Sequence, residues 1–345
     1  MTAEDDLRAG LGRLLDGVPA RRTAAAVDRL VAGYRGGGPA PALRDADDVA
    51  AYAAYRMPAT FQAVRAALAA LAAAAPGWEP AGHLDVGGGT GAAVWAAAAV
   101  WPDGPRPTVV LDRAEPALAL GRELAAGAAA DAVRAAEWRR HPLGAAAAVP
   151  GQGGPAGPGW PRAGLVTVSY VLGELPEAVR HEVVAAAARA ADGAVVVVEP
   201  GTPEGYRRVL EARRHLVADG FEVLAPCPHS AACPVAGTQD WCHFAARVQR
   251  SALHRRIKGG ELGHEDEKFA YVAAARIPAA APAAARVVRH PQLRKGQVLL
   301  ELCTAGEGLA RTTVSKRQGP RYRAARDVRW GDAWPPPEDG GHDLS

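Results

Sequence analysis

Leu84-Asp85-Val86-Gly87-Gly88-Gly89-Thr90-Gly91 is the stretch whose reading decides the fold. A short apolar run carrying one carboxylate, followed by glycines at alternate positions, describes a strand that turns sharply into a helix. The glycines let the backbone approach a ligand without Cβ clashes, and the first turn of the Ala-rich helix from Gly91 presents unpaired N–H groups to it. Outward from this loop, three more apolar runs alternate with helical segments. TVVLD precedes a helix from Glu115, LVTVSYVL precedes a helix from Pro176, and AVVVVEP precedes a helix over Arg207 to Gly220. Such alternation predicts βαβ units around a parallel sheet, an α/β Rossmann-like fold. The second run ends in Asp112, 27 residues after Asp85, placed to accept hydrogen bonds from ribose hydroxyls.

The leading Asp85 and the glycine spacing differ from the G-x-G-x-x-G of dinucleotide sites. The pattern resembles the class I S-adenosylmethionine-dependent methyltransferases. That resemblance implies that Asp85, Gly87, Gly89 and Gly91 contact the methionine part of the cofactor and that Asp112 holds its ribose. It also places the pocket floor at the end of the third run, where Ser169, Tyr170 and Glu174 are candidate lining residues. Methyl transfer is an in-line displacement, so alignment can suffice without a dedicated acid or base. Amino-methylating members often carry Asn/Asp-Pro-Pro-Tyr where this chain has Ser-Tyr-Val-Leu, and no cysteine precedes Cys227 to act as a cytosine C5 nucleophile. The sequence supports cofactor binding better than catalysis, and no catalytic residue is assigned.

Around this core the chain divides by texture. Residues 1–75 read as an N-terminal helical region (LRAGLGRLL, AAAVDRLVAGYR and Val49 to Ala75, interrupted near Met57-Pro58), residues 76–224 as the cofactor domain, residues 225–330 as a cysteine-bearing, strand-rich basic module, and residues 331–345 as a disordered tail. Gly144 to Gly164 is Gly/Pro-rich and reads as a loop. In the basic module RVVRHP, GQVLLELCT and LARTTVSK alternate as antiparallel strands. Of the 345 residues, 49% are hydrophobic and 22% charged, which excludes wholesale disorder and fibrous classes. No run of large apolar residues is long enough to span a membrane, and the acidic N-terminus is unlike a secretory leader; a cytoplasmic protein without a membrane partner is expected.

The net charge of +3 conceals an asymmetry: residues 241–330 hold 18 Lys and Arg against 7 Asp and Glu, leaving a net −8 elsewhere. A basic module joined to an acidic one suggests a polyanionic partner, most simply nucleic acid. The four cysteines, Cys227, Cys233, Cys242 and Cys303, all fall in the 225–330 stretch with a C-x5-C-x8-C-x60-C spacing. They are too few for a disulfide scaffold, and four thiolates suit either tetrahedral zinc or a [4Fe–4S] cluster. His229 and His243 lie close enough in sequence to be ligands or outer-shell donors.

Taken together, LDVGGGTG, SYVLGEL, VVVVEPGTPEGYR, CPHSAACPVAGTQDWCHF, HRRIKGGELGHEDEKFAYVAAAR and GQVLLELCTAGEGLARTTVSKRQGPRYRAARDVRWGD resemble the methyltransferase-like proteins associated with the mitochondrial small ribosomal subunit and their bacterial relatives. The resemblance runs over about residues 45–334 and is most specific in the cysteine block. It implies a class I fold, a [4Fe–4S] cluster on the four cysteines, and a role on 16S-type small-subunit ribosomal RNA during assembly. Either methyl transfer to that RNA or a non-catalytic assembly role fits. By the same resemblance Arg255, Arg256, Lys258, Lys316, Arg317, Arg321, Arg323, Arg326 and Arg329 meet RNA phosphates.

Overall fold

A computed structural model describes residues 2–15, 49, 53, 55–143, 160–249, 263–306 and 308–336. The expected helix AAAVDRLVAGYR, most of the Gly/Pro-rich loop, the basic residues Arg255, Arg256 and Lys258, and the tail from residue 337 lie outside the described residues.

The run His83–Val86 is buried at every position and forms β1, the middle of a sheet covered on both faces. It pairs in parallel with β2 (Thr108–Asp112) on one side and β4 (Ala163–Ser169) on the other. Beyond β2 lies β3 (Glu137–Arg140), and beyond β4 lies β5 (Ala191–Pro200), both parallel to their neighbours. β3 has no apolar run because it is an edge strand with mostly exposed side chains, so its sequence carries no strand signal. The far side is antiparallel: β8 (His264–Ala275) pairs with β5, and β6 (Glu222–Ala225) and β7 (Phe244–Gln249) share the other edge of β8. The order β3-β2-β1-β4-β5-β8-β6, antiparallel at its end, is a class I methyltransferase fold.

Helices α1 (Ala3–Leu15), α2 (Met57–Ala74), α3 (Ala92–Val100), α4 (Glu115–Ala126) and the single turn α5 (Asp131–Arg134) precede β4. Helices α6 (Glu177–Ala190) and α7 (Pro203–Ala218) follow β4 and β5. One core cluster joins α1–α4 to one sheet face through Phe61, Leu68, Trp95 and Val196, and another joins α6 and α7 to the opposite face through Val166, Val184, Leu216 and Phe221. α2 is long and apolar enough by length and composition to cross a membrane, a feature the search for uninterrupted large apolar runs does not register; 56% of it is buried against the fold.

A second, smaller sheet holds β9 (Ala285–Val287), β10 (Gln292–Arg294), β11 (Gln297–Thr304), β12 (Gly308–Ser315) and β13 (Ala333–Trp334), all antiparallel around β11 and β9. α8 (Pro320–Asp327) closes it, with Val287, Leu300, Val314, Ala325 and Trp334 in its core. The stretch 225–330 contributes strands to both sheets, β7 and β8 to the large one and β9–β12 to the small one. Residues 333–334 of the expected tail are a strand, with Trp334 only 2% exposed.

Candidate functional site

The large sheet reverses its strand order between β1 and β4, and ligands of open α/β sheets bind at such a switch point, beyond the strand C-termini. The loop after β1 occupies this crevice. Gly87, Gly89 and Gly91 have φ of 66°, 54° and 81°, which only glycine adopts freely. A Cβ on Gly87 would lie 2.5 Å from the Val171 side chain, and one on Gly91 would lie 2.4 Å from the Trp138 ring. At Gly89 a Cβ would meet nothing closer than the Asp112 carboxylate at 3.8 Å, so the loop surface is open there and a ligand can sit on bare backbone.

Asp112 ends β2 beside this opening. One carboxylate oxygen accepts from the Gly89 amide at 2.9 Å and the other from the Ala114 amide at 2.8 Å. Burial raises its pKa despite these bonds. Two lone-pair directions remain for ribose hydroxyls.

Asp85 sits beneath the loop, fully buried. The Thr167 hydroxyl donates to its Oδ1 at 2.8 Å and accepts at 2.8 Å from Nε2 of His83, which burial keeps neutral with a pKa of about 3. Its other oxygen, Oδ2, has no partner. Desolvation, only partly offset by Thr167, lifts the Asp85 pKa to about 7. A raised carboxyl binds its proton more tightly folded than unfolded, so its stabilising contribution is full below about pH 4 and is lost as pH rises through about 7. Asp85→Asn should therefore flatten a decline of up to about 4 kcal/mol between those limits. Denaturant melts from pH 4 to 8 measure it, and parallel wild-type and variant profiles would refute it.

The turn after β4 is held rigidly. Ser169 is buried, and Tyr170 has φ 57°, the only non-glycine residue with positive φ among those described. Its hydroxyl donates to Glu267 Oε1 at 3.0 Å, and its ring lies 5.4 Å from the Arg56 guanidinium that pairs with Glu267. Leu172 N donates to Glu199 at 3.0 Å, Arg208 reaches the same carboxylate at 2.6 Å, and Arg180 caps the carbonyls of Leu172 and Leu175. Glu174, 3.7 Å from Arg113, has its pKa raised to about 7, mainly by desolvation.

A second centre lies between the two sheets. Cys227, Cys233 and Cys242 come from the segment joining β6 to β7, and Cys303 from β11; all four line one cavity of about 40 Å³. Arg213 and Arg286 also line it, and the Tyr206 hydroxyl lies 3.3 Å from Cys233 Sγ. Burial raises the thiol pKa values of Cys227, Cys242 and Cys303, the last to about 12, with the neighbouring sulfurs adding to the effect. His229 Nε2 is 3.8 Å from Cys303 Sγ, whereas His243 is stacked on Trp241 and edge-on to Trp330. Among the described residues no group of three or more His, Cys, Asp or Glu side chains is disposed to hold a metal ion. Arg213, Arg286, Tyr206, Glu199 and Trp138 gave no sequence signal, since each acts across distant parts of the chain.

Lys316, Arg317, Arg321, Arg323, Arg326 and Arg329 are all exposed, on the turn after β12, on α8 and just past its end. None of them pairs with a carboxylate among the described residues, and Lys316 N bonds to Gly296 O at 2.8 Å, setting Arg294 and Lys295 beside them.

Comparison with known proteins gives the relationship. The family model described as "Mitochondrial small ribosomal subunit Rsm22" matches residues 46–335. The chain belongs to the Rsm22 family. It is 30% identical over 302 residues to the human "Ribosome assembly protein METTL17, mitochondrial", covering 82% of this chain and 62% of the relative. It is 24% identical over 191 residues to the fission yeast "Rsm22-cox11 tandem protein 2, mitochondrial", covering 41% of this chain and 24% of that protein. The chain thus spans less than two thirds of the length of either relative. Among solved structures, an O-methyltransferase family protein from Burkholderia thailandensis aligns with a TM-score of 0.41 at 14% identity, covering 73% of this chain and 68% of that one. The magnesium protoporphyrin IX methyltransferase of Synechocystis with bound S-adenosylmethionine aligns with a TM-score of 0.37 at 13% identity, covering 74% and 97%. These matches overturn the expectation of a cytoplasmic protein: the Rsm22 family and its curated relatives are mitochondrial, which points to the mitochondrion.

Proposed function

We propose that this Rsm22-family chain binds S-adenosylmethionine in the β1–β4 crevice and acts in assembly of a small ribosomal subunit by contacting its RNA through the second sheet. The observation that carries the reading is the pairing of an open glycine cradle, edged by Asp112, with an unpaired basic face on the adjoining sheet. Asp112 would hold the ribose, and Gly87, Gly89 and Gly91 would underlie the methionine part. The cofactor, when bound, supplies an activated methyl group. The turn after β4 supports a binding role over catalysis, because Tyr170 and Glu199 are committed to Glu267, Leu172 and Arg208. A second reading, methyl transfer to RNA, is favoured by Glu174 alone: a carboxyl titrating near pH 7 at the crevice suits proton acceptance.

The four cysteines would hold a [4Fe–4S] cluster that clasps β11 to the segment after β6. A single zinc needs all four sulfurs within about 2.3 Å of one point. The four cysteines line one common cavity, and four thiolates suit such a cluster, with zinc the alternative occupant.

Equilibrium dialysis of the full chain with S-adenosylmethionine tests the first part. Asp112→Ala removes a charged acceptor and should weaken binding roughly 10-fold or more; unchanged affinity would refute the site. For the RNA face, reversing Lys316, Arg317, Arg321 and Arg323 to Glu should lower affinity for small-subunit RNA and flatten its dependence on log salt by about 0.7–0.9 per lost phosphate contact. An unaltered salt slope would show that the RNA contact lies elsewhere.

A further inference from the structure

Arg213, on α7, is only 5% exposed, and its guanidinium lines the four-cysteine cavity. Its Nη2 donates to the carbonyls of His229 at 2.9 Å and Ala231 at 2.7 Å, and its Nε has no partner. Arg286, on β9, lines the same cavity from the other sheet, donating to Pro226 O at 2.7 Å and Gly331 O at 3.1 Å. Among the described residues neither guanidinium pairs with a carboxylate. The third cation nearby, Arg289, is neutralised by Asp240. A buried arginine without a counter-charge is costly, and the buried Arg213 facing the half-buried Arg286 across one cavity favours an anion there.

Neutral thiols do not supply that anion. A cluster with a +2 core held by four thiolates carries a net charge of about −2, matching the two unpaired guanidiniums. We infer that Arg213 and Arg286 are the counter-ions of a dianionic iron–sulfur centre: they balance its charge from opposite walls of the cavity and set its reduction potential. They are positioning residues, acting through the cluster rather than ligating it. The arrangement also explains why the centre spans two sheets. Arg213 comes from the helix after β5 and Arg286 from β9, so the full complement of ligands and counter-charges exists only when both sheets are docked. The inference rests on the cluster proposed above.

The test uses the full chain, reconstituted and handled without oxygen, comparing wild type with Arg286→Gln, Arg286→Lys, Arg213→Gln and Arg213→Lys. Iron and sulfide content, the rate of iron loss to a chelator and the midpoint potential are read for each. Loss of an outer-shell charge should speed iron loss on the order of 10-fold. Each Gln variant should also have a lower midpoint potential, because the added electron loses a neighbouring positive charge, and each Lys variant should restore the potential. If Arg213→Gln does not fold, Arg286→Gln, whose residue is half-buried on the opposite wall, carries the test. Wild type that takes up no iron would overturn the cluster reading and this inference with it. A wild-type cluster whose potential is the same in Gln and Lys variants would leave the cluster standing and refute the counter-ion role.

Discussion

Cys242→Ser is expected to bring bound iron close to zero and to loosen the junction between the two sheets. Its thiol lines the cavity with Cys227, Cys233 and Cys303 and carries a pKa raised well above the usual range by desolvation and by those sulfurs. A hydroxyl in that position cannot replace a thiolate ligand, and three remaining ligands hold a cluster poorly. A structural metal centre stabilises only the folded chain; at a free concentration of about 1,000 times its Kd it contributes roughly 4 kcal/mol. The variant should lose at least that much in anaerobic denaturant melts. Hydrogen exchange should show protection falling first in Gln297–Thr304 and Ala285–Val287, the strands that Cys303 and Arg286 tie to the cavity. A variant matching wild type in both stability and exchange would mean that the cysteines are merely four buried thiols.

Glu199→Ala is expected to cost about 3–5 kcal/mol, the cost of stranding one partner of a buried ion pair. Glu199 is fully buried at the end of β5, where it accepts from the Leu172 amide at 3.0 Å and from Arg208 Nε at 2.6 Å. Removing it leaves a mostly buried guanidinium and an unpaired amide in the turn that walls the crevice. Because that turn carries Tyr170 and Val171, the latter packed against Gly87, the loss should also reach cofactor affinity. Glu199→Gln, which keeps an acceptor for Leu172 but not the charge, should fall between alanine and wild type. Thermal and chemical melts together with dialysis would show this ordering, and an alanine variant within about 1 kcal/mol of wild type would contradict it.

The parallel half of the fold was legible because its strands are apolar throughout and its loop is marked by glycines that cannot be replaced. The runs around Leu84, Val109, Val166 and Val196 each became a central strand, and Asp112 came to rest on the Gly89 amide. Elements with weak or mixed patterns were missed. β3 is polar because it lies at an edge, and β8 begins with the charged run His264-Glu265-Asp266-Glu267-Lys268, which conceals the strand that inserts between β5 and β6. The cysteines were legible as a set. Their surroundings were not, since Tyr206, Arg213 and Arg286 reach the cavity only through tertiary packing. Asp85, expected among the cofactor contacts, lies beneath the loop with one oxygen bonded to Thr167 and the other without a partner. Tyr170, a pocket candidate by position, directs its hydroxyl to Glu267.

The central claim is that the chain works on small-subunit precursors, with the cofactor crevice and the basic sheet joined through the cysteine centre. Sedimentation of native-host lysates through sucrose gradients, with the chain and the small-subunit RNA followed in each fraction, tests it most directly. The account predicts that the chain migrates with immature small subunits, and that the Lys316/Arg317/Arg321/Arg323 charge reversal and Cys242→Ser each release it to the top of the gradient while precursors accumulate. A wild-type chain that stays at the top, with precursor levels indifferent to either variant, would contradict it.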